Sequence, residues 1–312
     1  MLFGFGAEAC ARTEETDWFV DRYHEALSSR LTEPILWLDD FFGDRQVDDL
    51  DQATMLVRWR SSVRIMEGEG VTLPQRLRAR ARLPHLSERL HLLFEGDDLK
   101  ETCAEQIGVT AGECLSDPDA QSQASLGLMY LMYDSLRDRL DVSSGARLRW
   151  PADYYVRLGY ERLLHLGRAN VVRLSETGVW RSLEGYSATS RVDLDRRLSD
   201  QFSSRFSLYV TWNEDVSGID WGGEASLYQQ LSSRSALSFD LGMYGDNRPS
   251  TVVETYRAGC RYRSNFFRPW LFWAVEPEVR YVLDDDGRER NMIQGITFSI
   301  EVLFSEKDWW QP

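Results

Sequence analysis

The sequence predicts an all-β fold, a closed antiparallel up-and-down barrel of about 12–14 strands behind a short helical N-terminal extension. Three observations predict it. From residue 53 onward apolar and polar residues alternate with period two, which gives a strand two unlike faces. The alternating segments are long, about 9–13 residues against a usual strand of about 5–6. Their polar faces carry rows of arginine, which repel one another unless carboxylates on neighbouring strands answer them.

The 312 residues are 43% hydrophobic, 28% charged and 12% aromatic, a composition that excludes a disordered chain. A net charge of −14 argues against nucleic acid as a partner. The longest apolar runs, such as Leu128 to Tyr133, fall far short of the roughly 18 residues of a spanning helix. That excludes a helical membrane protein and leaves open a β-barrel, whose spanning strands need only about ten alternating residues. Lys100 and Lys307 are the only lysines, so nearly all the basic charge is arginine.

Four regions follow in order. Residues 1–9 end in Ala7-Glu8-Ala9, the small-x-small form of a signal-peptidase site, and two readings stand: the remnant of a secretory signal or an ordinary N-terminus. Residues 10–52 form an extension in which Phe19, Val20, Tyr23 and Leu27 share one side of an amphipathic helix that Pro34 ends. Residues 53–304 form the barrel, and 305–312 a tail. Cys103 and Cys114 lie in a polar segment and suit a disulfide in an oxidising compartment, whereas Cys260 has no evident partner. Neither a Cys-x-x-Cys nor a helical His pair is present, so no metal and no cofactor is expected.

Fourteen segments read as strands, near 53–66, 75–84, 88–96, 124–134, 139–150, 153–163, 168–182, 185–198, 203–214, 219–231, 234–244, 250–263, 270–281 and 291–304. Met55, Val57, Trp59, Val63 and Ile65, for example, alternate with Arg58, Arg60 and Arg64. Two segments are ambiguous: Leu128-Met-Tyr-Leu-Met-Tyr has no clean period, and Glu176 spoils one face of the seventh. Merging or dropping a pair would give twelve. Short spacers tend to alternate with longer polar ones, and Trp150-Pro-Ala-Asp must be a tight loop on the long-loop side.

A soluble sandwich would turn its apolar rows inward. Strand length, the arginine rows and the final strand favour lipid outside instead. That strand alternates strictly from Ile296 and ends Ile300, Val302, Phe304, the form that barrel-assembly machinery reads. Glu184-Gly-Tyr-Ser-Ala-Thr-Ser-Arg-Val-Asp-Leu-Asp-Arg-Arg-Leu, Arg268-Pro-Trp-Leu-Phe-Trp-Ala-Val-Glu-Pro-Glu-Val and the terminal strand resemble uncharacterised proteobacterial outer-membrane β-barrel proteins, porin-like and of intermediate size. The resemblance spans residues 53–304 and implies a fold and a bacterial outer-membrane location, with lipid and the assembly machinery as partners. It implies no chemistry.

If apolar faces meet lipid, the other faces line a lumen. The residues expected there include Arg58, Arg60, Arg64, Arg76, Arg78, Arg80, Arg82, Arg147, Arg149, Arg257 and Arg261, with Asp193, Asp195, Glu224, Glu276 and Glu278 among the acids. Arginines outnumber acids by about nine on this parity, which favours anions in a confined passage. The first two strands bring seven arginines and no acid, a candidate unpaired basic wall. A passive, narrow channel that prefers small anions is the leading expectation. The alternative is a non-conducting structural, adhesion or scaffold barrel, filled by arginine–carboxylate ladders and serving an envelope protein partner. No enzyme is expected: His24, His85, His91 and His165 avoid the long loops, and Asp193 and Asp195 are flanked by Arg191 and Arg197.

Overall fold

A chain that alternates this regularly can satisfy its backbone and hide one face only by closing a sheet on itself, because closure leaves no unpaired edge. The computed structural model describes residues 55–305 except 69, 84–88, 98–122, 136, 149, 168, 249, 269, 285–286 and 288. The expected helical extension, the pair Cys103 and Cys114, Arg149, His24, His85 and the tail beyond residue 305 lie outside the described residues.

The strands are β1 (Met55–Met66), β2 (Gly70–Thr72), β3 (Gln75–Arg82), β4 (Leu90–Asp97), β5 (Gln123–Asp134), β6 (Asp138–Arg147), β7 (Asp153–Leu166) and β8 (Asn170–Arg181). They continue as β9 (Gly185–Arg197), β10 (Phe202–Asn213), β11 (Ile219–Ser232), β12 (Ser235–Asp246), β13 (Val252–Asn265), β14 (Leu271–Leu283) and β15 (Arg290–Ser305). Each long strand pairs antiparallel with its neighbours in sequence, and β15 closes on β1 from Leu56↔Ser305 to Met66↔Gly295. The three-residue β2 only extends the turn after β1, so fourteen strands make the barrel. Both ambiguous segments are strands. The connection 148–152 opens at the same end as 98–122, as the turn at Trp150 required.

Apolar side chains occupy the outside. Trp59, Val63, Ile65, Leu128, Leu158, Leu208, Val210, Phe239, Leu241, Phe298 and Ile300 are all exposed on alternate positions, while Arg64, Arg76, His91, Asp193, Asp195, Arg263 and Glu301 are buried. In water that arrangement would squander the hydrophobic effect; in a bilayer it is the favourable one. Strands of 12–14 residues at about 3.3 Å per residue, tilted as barrels require, cross a roughly 25 Å apolar band. The protein is a transmembrane β-barrel.

The enclosed face is not polar throughout. Near the end that holds both barrel termini, Tyr228, Ala236, Phe272 and Leu303 form a buried apolar cluster with Trp270 against it. Pro277 leaves its own mark on the wall. Pairing of β13 with β14 runs to Gly259↔Glu278 and resumes at Tyr262↔Val275, leaving Cys260 and Arg261 out of the ladder opposite the residue that has no N–H.

Candidate functional site

The enclosed charges concentrate on one arc, β13–β14–β15–β1–β3, where register places Arg257, Arg261, Arg263, Arg280, Arg58, Arg60, Arg64, Arg76, Arg78, Arg80 and Arg82 on one face with Glu276, Glu278 and Glu301. Directly opposite positions repeat the same sign: Arg58 faces Arg78, and Arg60 faces Arg76. Like charges there are tolerable only because carboxylates reach them from further away. The inward positions of β15 are small (Gly295, Thr297, Ser299), so guanidinium groups of β1 extend over that strand to β14.

Seven arginines share the three glutamates. Glu276 receives Arg60 at 2.6 Å and Arg261 at 3.0 Å. Glu278 receives Arg64 at 3.0 Å, Arg257 at 2.8 Å and Arg280 at 2.9 Å. Glu301 receives Arg58 at 3.1 Å and Arg263 at 2.8 Å, and Arg263 also lies 4.0 Å above the Phe272 ring. A cavity of about 70 Å³ opens against Arg60, Arg64, Arg257, Arg261, Glu276 and Glu278, and one of about 10 Å³ against Arg263 and Glu301. The expectation of an unpaired basic wall on β1 and β3 is corrected: Arg58, Arg60 and Arg64 are held from β14 and β15, Arg78 stands 3.8 Å from Glu95, and Arg76, Arg80 and Arg82 are not without partners. Glu276, Glu278 and Glu301 come from strands distant in sequence from β1.

The adjoining arc, β9–β12, is acidic. Asp193 accepts from Arg191 at 2.9 Å and from the Ser207 hydroxyl at 2.5 Å. Asp195 pairs with Arg205 of β10 at 2.6 Å, while Arg197 reaches Asp200 in the turn that follows its strand. Glu224 accepts from the Tyr244 hydroxyl, and Asp240 from Ser226 at 2.6 Å and Ser238 at 2.9 Å. Arg147, further round, meets Glu184 at 3.1 Å and the fully buried Asp153 at 3.6 Å.

Sequence reading missed six charged members of this face. Arg205 shares the inward parity of Ser203 and Ser207 on β10, and extending that alternation two residues back would have found it. Arg139 faces Glu161 near a strand end. Asp153, Asp220 and Asp246 sit at strand ends, and Arg248 joins the last two at the mouth. Arg89, one of the arginines behind the expected surplus of about nine, is exposed at a turn. Three added acids and three added arginines cancel, so only the loss of Arg89 narrows the expected positive surplus. The terminal strand keeps Ile300 and Phe304 exposed, whereas Val302 is buried between its neighbours.

Two tyrosines close over glycines of adjacent positions. A Cβ on Gly222 would stand 2.4 Å from the Tyr209 ring, and one on Gly242 2.5 Å from the Tyr244 hydroxyl. Among the described residues no group of three or more His, Cys, Asp or Glu is placed to hold a metal ion.

No protein-family model matches the chain, and no curated protein matches it. Solved structures similar to it include the CymD monoaromatic hydrocarbon channel (10% identity, 81% of this chain and 89% of that chain, TM-score 0.46). Others are the outer membrane channel DcaP of Acinetobacter baumannii (9%, 80% and 96%, TM-score 0.48) and an anion-selective porin from Comamonas acidovorans (8%, 81% and 99%, TM-score 0.47).

Proposed function

We propose that the protein is a passive outer-membrane channel whose enclosed face favours small anions. The observation that carries this reading is the excess of guanidinium over carboxylate on the β13–β3 arc, seven arginines held by three glutamates beside the 70 Å³ cavity. Guanidinium stays charged at any physiological pH. In a confined, poorly screened space the surplus lowers the energy of an anion and raises that of a cation. Longer connections at the end of 98–122 place that end outside the cell and both barrel termini in the periplasm. Phe304 and Ile300 then serve the assembly machinery from the periplasmic side. Planar-bilayer recording of the purified protein tests the proposal: a salt gradient should give a reversal potential of anion-selective sign, and absence of conductance at every voltage would sink it.

A second reading has its own observation. The arginines are engaged and deeply buried, Arg263 and Glu301 among them, as in a barrel filled for rigidity. On that reading the protein is a scaffold for an envelope partner and the bilayer stays silent.

A further inference from the structure

The two cavities of the basic arc differ in what they can contain. The one against Arg263 and Glu301 is about 10 Å³, the room of a single water. The other is about 70 Å³ and has room for several waters or one small polyatomic ion. Its walls come from four strands that closure brings together. Arg60 and Arg64 stand on β1, Arg257 and Arg261 on β13, Arg280 on β14 and Thr297 on β15. Three carboxylates, Glu276, Glu278 and Asp240, share the cavity with these five arginines, so its walls carry two positive charges in excess. Asp240 already accepts from the Ser226 and Ser238 hydroxyls.

Two donors there are left over. Arg64 and Arg280 are only 8% and 5% exposed, and each gives one terminal nitrogen to Glu278. The Nε–H of both is buried without an acceptor among the described residues. A buried cationic donor left unmade is costly, so an acceptor from outside the chain is favoured at this place. Thr297, buried against the same cavity, adds a hydroxyl. Water alone would fill the space and leave the two charges unanswered. Guanidinium forks match oxyanions bidentately. Donors converging from several strands suit oxygens that point in several directions, as in a tetrahedral ion, better than the single planar edge of a carboxylate.

We propose that this cavity binds a single divalent tetrahedral oxyanion, of the sulfate or phosphate class, between the guanidinium groups of Arg64 and Arg280. The assignment deepens the channel reading and rests on its account of the arc as the anion-favouring wall. A dianion balances the two excess charges. A monovalent anion leaves one of them unanswered, and chloride has no separate oxygens to meet both forks. The arc is then a binding station with a preferred ion and not a uniform basic screen.

Titration calorimetry of the full chain in zwitterionic detergent and dilute chloride buffer reads the site directly. Sulfate and inorganic phosphate, titrated separately at mildly alkaline pH where phosphate is divalent, show which of the two the site takes. At least one should bind saturably, as a single ion per barrel, and nitrate and acetate should not. Arg64→Lys/Arg280→Lys keeps both charges and removes both Nε donors. It should weaken the binding about a hundredfold, roughly tenfold for each charge-assisted hydrogen bond lost. Arg162→Gln removes a half-exposed charge on β7, far round the barrel, and should leave the binding unchanged. Heat-modifiable migration reports folding, and if the lysine pair does not fold, oxyanion against nitrate in the unmodified chain decides. Absence of saturable binding, nitrate bound as tightly, or a folded lysine variant that binds like the unmodified chain would each overturn the proposal. Bilayer recording in potassium chloride keeps the two readings apart. An anion-selective current without oxyanion binding sinks the site and leaves the channel, whereas binding with a silent bilayer sinks the channel and leaves the site.

Discussion

Arg60 on β1 reaches Glu276 on β14 at 2.6 Å over the strand between them, because β15 presents Ser299 and Thr297 there. The bond fixes two strands that share no ladder, and Glu276 answers Arg261 as well. Glu276→Gln keeps the shape and removes the charge. It leaves two guanidinium groups beside a neutral amide, which should destabilise the barrel by about 3 kcal/mol. It should also shift the reversal potential further toward the anion value. Heat-modifiable migration on gels reads the first effect and bilayer recording the second.

The Tyr209 ring over Gly222 makes a sharper steric claim. Gly222→Ala puts a methyl 2.4 Å from that ring, so the tyrosine must leave its place near Glu224. Overpacking of this kind should cost roughly 1–3 kcal/mol. Tyr209→Leu alone should cost less, and in the double variant the alanine should be nearly neutral. A thermal unfolding series over the four proteins measures the coupling, and additive effects would mean that the ring does not occupy the glycine's space.

What the sequence made legible is what a single strand carries in itself. All fourteen barrel strands were readable, since alternation is a local signal. The unclean period at Leu128–Tyr133 has a structural cause: pairing of β5 with β6 slips between Leu131 and Tyr133, which shifts the faces. Glu176 spoiled a face because it does point outward. The pairings were not legible. Glu276 finds Arg60 only after closure brings β1 beside β15, and Asp195 pairs with Arg205 of the next strand. The apolar cluster of Tyr228, Phe272 and Leu303 was invisible for a related reason, since whether a parity is sealed or solvated depends on what closes over the end of the tube.

Pro277 interrupts the wall, and the interruption has a measurable amplitude. The β13–β14 register skips Cys260 and Arg261 beside it, while both pair with β12. Pro277→Ala supplies the missing N–H, and hydrogen exchange of the backbone around residues 259–262 should then slow relative to the unmodified barrel. Stability should rise by about 1 kcal/mol, the net worth of a regained hydrogen bond. Exchange that stays unchanged would trace the gap to the inward crowding of Arg257, Arg261 and Glu278 instead of to the ring.

Charge on β3 gives the selectivity claim a dose dependence. Arg78 and Arg80 belong to the basic arc, and Arg78→Gln/Arg80→Gln removes two of its positive charges while leaving in place Arg60 on Glu276, Arg64 on Glu278 and Arg263 on Glu301. Anion preference should fall without loss of folding. The loss should be large at 0.1 M salt, where the Debye length is about 10 Å, and small at 1 M, where it is about 3 Å. Screening of that form is expected only if ions pass within a few ångströms of the arginine face. Reversal potentials of the two proteins at both salt concentrations therefore separate a selective passage from a pore whose current bypasses the arc. If the double substitution leaves selectivity unchanged at low salt, the β3 arginines do not face the conducting path.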